Sequence, residues 1–446
     1  MSPPAPSTVR YRADAVVPCD GTGAVFRPGM VEVTGDAVVR VGPDPGPRDD
    51  PGPDTAVVRL EGLLLPGLVN AHCHSPMTLF RGTGENLPLH EWLTGVLWPR
   101  EARLTPDDVY WGMTLAAAEL LALGVTTSTE MYFHEDATAE AVVDAGSRAV
   151  ITPGVLQLPG HQHDDGWWDR RIDEIRDFHA RRNGDGGGRV EVGIGPHAAY
   201  TVPLPVIADI AAAARDLGAL FHTHLAETEA EGARFESEHG RSVPATLAEV
   251  GALDGRVLAA HSIWLSDDDL EIYRRHDVAV AHCPQSNAKL ASGVAPLTRL
   301  LGAGLRVGLG TDGPASNNDL DLWEEMRFAA LLARVHDRRA DALPARAALD
   351  LATRGGGEAL GRPDLGRLAP GSAADMILVD LQDPAFVPLH DDAQLVEHLV
   401  WSGASRLVTD VWVAGRRVVA DRECLTVDVE AACRQVEERS RRLFAD

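Results

Sequence analysis

The 446-residue chain is poor in cysteine and in positive charge, and no long apolar run interrupts it. Its five cysteines, Cys19, Cys73, Cys283, Cys424 and Cys433, are odd in number and form no CxxC pair. A disulfide framework and a zinc ribbon are therefore excluded as organising principles. Lysine and arginine total 41 against 66 acidic residues, a formal net charge of −25. Phosphate binding needs a basic face, so nucleic acid is not an expected partner and the acidity reads as solubility. No uninterrupted apolar stretch reaches the roughly 18 residues of a membrane span. The Pro-rich start also lacks the basic-then-apolar order of a signal region. The expectation is a protein of the reduced cytoplasm, with neither a membrane nor a nucleic acid as partner.

What is present suits a large globular enzyme. Apolar residues make up 45% and charged residues 24%, enough for a sizeable core. The length accommodates a barrel of about 250 residues with an appended module. Short β-like pieces at 13–17, 30–34 and 37–41 alternate with Gly and Pro turns, including a Pro-rich segment at 43–53. Stretches 373–380 and 409–420 have the same texture. The two chain ends are expected to form a small β-sandwich, residues 1–65 giving one part and 369–446 the other with a terminal helix. Between them, 66–368 alternates strand-like and helix-like runs. The strands fall at 64–71, 125–131, 149–156, 190–196, 219–225, 257–261, 278–283 and 306–310, with helices such as 106–123 and 205–217 between most of them. Eight such repeats fit a (β/α)8 barrel in the α/β class, whose active site lies at the C-terminal strand ends.

The polar residues fall at those ends. The apolar run 63–71 leads into His72 and His74, and residues two apart on a strand point to one side, as a metal-binding pair requires. The later strands end in His197, in His222 and His224 followed by Glu227, in His261, in His282, and in Asp312. Each histidine alone is more often a structural side chain. Their shared placement at one rim points to chemistry.

Together these residues resemble the amidohydrolase superfamily, in its cytosine-deaminase and chlorohydrolase-like branch. The closest look is to deaminases of S-adenosylhomocysteine, methylthioadenosine and adenosine. The motifs are PGLVNAHCHSPMTLFRG at 66–82, WPREARLT at 98–105, EMYFH at 130–134, GPH at 195–197, HLAE at 224–227, His261, SNAKL at 286–290 and GTDGPASNN at 310–318. The likeness spans almost the whole chain. It implies one divalent metal, zinc in the first place and iron as the alternative, held by His72, His74, His224 and Asp312. Some relatives bridge two metals with a carboxylated lysine. The single lysine here, Lys289, follows the seventh strand instead, which favours one metal.

The resemblance also implies roles. The metal acidifies a water, Asp312 accepts its proton, Glu227 protonates the ring nitrogen beside the attacked carbon, and His261 orients the water and the developing oxygen. Glu101 matches a carboxylate that accepts ribose hydroxyls, and His197 a residue at the purine or ribose. Trp98 and Met77 are expected to line the pocket, while His222 has no assigned role. A substrate of purine-nucleoside type and a homodimer or tetramer follow as expectations. Pro153 stands where members that bind the homocysteine carboxylate can carry Arg. The segment 160–171 departs from the family texture, with Arg170 and Arg171 as the available anion contacts. The rival readings are a free-base aminopurine or pterin deaminase, an s-triazine-type chlorohydrolase, and a non-catalytic binding relative.

Overall fold

The computed structural model describes residues 8–46, 52, 54–159, 164 and 166–445. The N-terminal segment forms β1 (Thr8–Val16), β2 (Gly29–Thr34), β3 (Ala37–Pro43) and β4 (Thr55–Pro66). The middle contributes β5 (Leu68–Cys73), β6 (Val125–Glu130), β7 (Arg148–Ile151), β8 (Gly154–Val155), β9 (Val190–Val192) and β10 (Gly195–Pro196). It continues with β11 (Phe221–Leu225), β12 (Val257–His261), β13 (Ala279–His282) and β14 (Val307–Leu309). The C-terminal segment adds β15 (Met376–Val379), β16 (Val408–Val413), β17 (Arg416–Ala420) and β18 (Glu423–Cys424).

The middle strands pair in parallel, β5-β6-β7-β9 in one sheet and β11-β12-β13-β14 in another. Bridges Ile194↔Phe221 and Ala198↔His224 join the sheets on one side. On the other side Cys73 bridges Asp312, and the Asp312 amide donates to the His72 carbonyl at 3.0 Å. Strand β14 is thereby brought beside β5. The β5 sequence, Leu-Val-Asn-Ala-His-Cys, is buried throughout, as expected of a parallel strand covered on both faces. Helices close the turns between strands with local signals. The helix Pro106–Ala122 starts on a capping box between Thr105 and Asp108 with Pro106 at its first turn.

Three of the expected strands are broken, each at a glycine or a proline. The run 64–71 divides into β4 and β5 at Gly67, where any Cβ would lie 2.1 Å from the Thr126 hydroxyl. The run 149–156 divides into β7 and β8 around Pro153, which has no N–H to donate. The run 190–196 divides into β9 and β10 around Gly193.

The two chain ends do pair. Strands β4 and β15 run antiparallel with Met376 opposite Pro66 and Val379 opposite Leu63. They stitch the terminal strands into one continuous sheet, β18-β17-β16-β15-β4-β1-β2-β3, and not into two separately bonded layers. This sheet curls over its own apolar face. Tyr11 of β1 meets Trp412 of β16 at a ring separation of 5.5 Å, although β15 and β4 lie between those strands. Val31, Val38, Leu64 and Met376 fill the space beneath them. Among the described residues, no helix is long and apolar enough to cross a membrane.

A buried ion pair ties this sheet to the parallel strands. Arg148 on β7 grips Asp375 through two nitrogens at 2.9 and 3.1 Å, and Asp375 also accepts the Ala414 amide at 2.7 Å. Burial disfavours the guanidinium charge, but Asp375 outweighs it and raises the Arg148 pKa above its ordinary value. Asp375→Ala leaves that cation buried and unpaired, so chemical denaturation is expected to show a loss of about 3 kcal/mol or more. A loss below about 0.5 kcal/mol, the range of an ordinary surface change, would contradict this account of the junction.

Candidate active site

The strand ends carry the predicted residues to one place. His72 near the end of β5 and His74 just past it bring their rings together, with centroids 4.7 Å apart. His222 and His224 come from β11, Glu227 from the turn after it, His261 from the last position of β12, and Asp312 from the segment after β14. All are buried. Three non-glycine residues here hold left-handed backbone: Ala226 (φ 53°), His261 (φ 69°) and Asp312 (φ 61°). Each costs about 1 kcal/mol or more and persists only where the surroundings over-determine it. Packing thus forces the chain to turn where it presents a site residue. Gly313 allows the same approach from the other side, since a Cβ there would fall 2.5 Å from Met77 Sδ.

The hydrogen bonds determine which ring nitrogens face inward. His74 Nδ1 donates to the Met131 carbonyl at 2.5 Å, and His224 Nδ1 donates to the His197 carbonyl at 2.7 Å. A carbonyl only accepts, so both histidines carry their proton on Nδ1 and leave Nε2 as a bare lone pair. Those two Nε2 atoms face each other at 3.2 Å. His72 Nε2, fully buried, has no hydrogen-bond partner and lies 3.4 Å from Asp312 Oδ1, which is 3.3 Å from His74 Nε2. The hydroxyls of Ser286 and Ser316 hold the other carboxylate oxygen, Oδ2, at 2.6 and 2.8 Å.

Lone pairs at this separation repel unless something positive lies among them. His72, His74 and Asp312 form one group of atoms within 4.8 Å of one another, and His72, His224 and His261 form a second. Burial pushes His72 down to about 4 and His224 well below its ordinary value, so protons do not fill that need at neutral pH. Neutral imidazoles with a carboxylate, no sulfur among them, and an open approach fit a divalent ion of the zinc type.

Beside these groups, Glu227 Oε1 stands 3.8 Å from His261 Nε2. His261 Nδ1 donates to Asn287 Oδ1 at 2.8 Å, which aims Nε2 at Glu227. Burial works against charge on His261, but Glu227 and Asp312 prevail and raise its pKa. Burial raises the Glu227 carboxyl in turn. Above them opens a cavity lined by His74, His224, Glu227, His261 and Asp312, and by Met77, Trp98, Glu101 and His197. Every residue expected at the pocket thus lines it, with His72 beneath. The Trp98 ring lies edge-on to His197 at 6.0 Å. Glu101 is buried, accepts the Tyr132 hydroxyl at 2.8 Å, and is pushed up by burial to about 7.

Sequence reasoning missed Tyr132, Tyr200, Leu290 and Ser316 as lining, and Ser286 and Asn287 as supports. All of these but Tyr200 lie inside motifs singled out for other members, which is the signal that was available. Lys289 lies apart from the carboxylate cluster, bonded to Asn318 Oδ1 at 2.6 Å. Residues 160–163 and 165 lie outside the described residues. Of the two candidate anion contacts, Arg171 is held by both oxygens of Glu135 at 2.8 and 3.0 Å, and Arg170 binds Asp164 at the surface at 2.7 Å.

Residues 63–418 match the model of the Amidohydrolase family. The chain belongs to the amidohydrolase family. This amidohydrolase is 39% identical over 437 residues to a 5-methylthioadenosine/S-adenosylhomocysteine deaminase of Pelotomaculum thermopropionicum, covering 98% of this chain and 99% of that one. Among solved structures it is similar to an adenosine deaminase from Xanthomonas campestris with bound zinc. There the TM-score is 0.91 and the identity 34%, with 99% of each chain covered. It also resembles an atrazine chlorohydrolase from Arthrobacter aurescens TC1 complexed with zinc (TM-score 0.87, 27% identity, 97% of this chain and 100% of that one). Family and neighbours make the ring of parallel strands a TIM-barrel-type fold.

Glu101 supplies a pH test of the cavity. Its folded-state pKa of about 7 lies above the ordinary 4.5. The folded chain therefore holds an extra proton between those values, and stability falls as pH rises through them. Relative to Glu101→Gln, the wild type is expected to lose up to about 3 kcal/mol between pH ~4.5 and ~7, at matched metal loading. Parallel stability curves for the two proteins would place Glu101 in water and contradict its burial.

Proposed function

We propose that this amidohydrolase deaminates an adenine nucleoside by hydrolysis, releasing ammonia, with His72, His74, His224 and Asp312 holding one zinc ion. A divalent ion bound there supplies a Lewis acid that acidifies the hydrolytic water. Asp312, fixed at Oδ2 by two serine hydroxyls, keeps Oδ1 toward the site and accepts that water's proton. His261, held through Nδ1 by Asn287, presents Nε2 to the oxygen that develops at the attacked carbon. Glu227 carries a proton to the ring nitrogen beside that carbon. The observation that carries this reading is the Glu227 carboxylate, buried at the cavity wall 3.8 Å from His261 and raised by burial toward the range where an acid both gives and takes protons. Its place three residues beyond His224 leaves it beside the ligands and free of them.

On the wall of the same cavity, Glu101 suits the vicinal diol of a ribose, since a carboxylate offers acceptors to two donors. His197 and Trp98 then flank the nucleoside and Met77 lies against it. Carboxylates line this cavity, and no lysine or arginine does so among the described residues. An anionic group inside it therefore finds no counter-charge; of the arginines in the adjoining cavities, Arg171 is paired with Glu135 and Arg234 with Glu238. Adenosine or 5′-methylthioadenosine is favoured over S-adenosylhomocysteine. The atrazine chlorohydrolase likeness supports the alternative of halide release from a triazine, but a buried ribose-type carboxylate such as Glu101 favours the nucleoside. In the same proposal the barrel occupies 66–368, and residues 1–65 with 369–446 form the curled β-sandwich module. A cytoplasmic homo-oligomer is the expected form.

Two measurements test this. Glu227→Gln is expected to retain its zinc while losing turnover by about 10²–10⁴-fold, the share of a general acid–base. Near wild-type turnover in that variant would remove Glu227 from the chemistry. A screen for ammonia release is expected to rank 5′-methylthioadenosine above S-adenosylhomocysteine in kcat/KM. Chloride release from a triazine without nucleoside deamination would establish the alternative.

A further inference from the structure

The resemblance gives His222 no role, and among the described residues its ring has two hydrogen-bond partners. Its Nε2 lies 2.8 Å from His72 Nδ1, and its Nδ1 lies 3.0 Å from the Thr152 hydroxyl. That hydroxyl is also 2.9 Å from the Glu130 carbonyl. The direction of every proton in this row can be worked out. The Glu130 carbonyl cannot donate, so the one hydroxyl proton of Thr152 points to it. Thr152 Oγ1 then has only lone pairs for His222, and His222 Nδ1 must donate. His222 is fully buried, and neither of its ring partners is charged. A second proton would be an unpaired buried charge, so Nε2 is bare. The remaining bond, His72 to His222, can only have Nδ1 of His72 as donor. His72 Nε2 is left without a proton, in agreement with its lack of any hydrogen-bond partner.

We infer that His222 and Thr152 are positioning residues: they relay the orientation of the Glu130 carbonyl to His72 and lock that ring with Nε2 turned to the metal. His74 and His224 obtain the same setting directly from backbone carbonyls. His72 Nδ1 meets the His222 ring instead, and two side chains carry the acceptor to it. The opposite proton order would put a proton on His72 Nε2, where a ligand must have a lone pair.

The relay concerns a ligand, so it rests on the metal reading given above. Zinc affinity, measured by competition with a chromophoric chelator, separates the two. His222→Phe fills the space but accepts nothing, and is expected to weaken zinc binding about 10–100-fold. His222→Gln places an amide oxygen where Nε2 was and an amide N–H toward Thr152, and is expected to recover most of that loss. Thr152→Val is expected to weaken binding, and Thr152→Ser to retain it. Melting of each metal-free variant checks that the fold is kept. In the metal-free wild type, ¹⁵N-histidine spectra are expected to show the resonances lost in His72→Gln as an Nδ1-protonated ring. Zinc bound by His222→Phe within twofold of wild type, or an Nε2-protonated His72, overturns the relay alone. A wild type that takes no zinc overturns both readings.

Discussion

Bare lone pairs forced together among buried side chains are the constraint on which this molecule turns. His74 and His224 give their only protons to backbone carbonyls, and their Nε2 atoms then face each other at 3.2 Å. Asp312 brings a carboxylate oxygen within 3.3 Å of one of them. The groups are buried, and burial keeps His72 and His224 from protonating. Such a cluster is unfavourable without a cation and strongly favourable with one. The fold has to hold it together against its own repulsion in the meantime.

That holding comes from strand ends. Hydrogen bonding across the seam ties Asp312 to the strand that carries His72, and left-handed backbone at Ala226, His261 and Asp312 turns the chain immediately at the rim. Around the ligands lies a ring of supports, each fixing one atom. Ser286 and Ser316 fix one oxygen of Asp312, and Asn287 fixes one nitrogen of His261. The free atom of each pair faces the cavity. Glu227 lines the same cavity 3.8 Å from His261, and the proposed function gives it the proton transfers and leaves coordination to its neighbours. The terminal sheet contributes no cavity-lining residue among those described. Its grip is mechanical, through Arg148 and Asp375 beneath β7.

Much of this could be read in the chain before its structure was known. The alternation of strands in pairs with His72 and His74 two apart gave the shared face, and the recurrence of histidine and aspartate at strand ends gave the rim. The pocket residues that the sequence did name, from His74 and Met77 to Asp312, were nameable because they lie in motifs that resemble those of known relatives. What escaped was set by contacts without period. His222 and His72 are 150 residues apart, and only the register of β11 against its neighbours makes them partners. The breaks at Gly67 and Pro153 came from close packing and a missing N–H inside runs whose apolar pattern continues unbroken. The terminal module was legible as paired β structure, but its curl into one continuous sheet depends on the β4–β15 register, which composition does not encode.

X-ray absorption at the zinc edge of the purified, zinc-loaded protein tests the central claim most directly. The account predicts one equivalent of zinc, with a first shell of nitrogen and oxygen at about 2.0–2.1 Å, outer-shell scattering from three imidazoles, and no sulfur. A sulfur scatterer at about 2.3 Å, fewer than three imidazoles, or no tightly held zinc would contradict it.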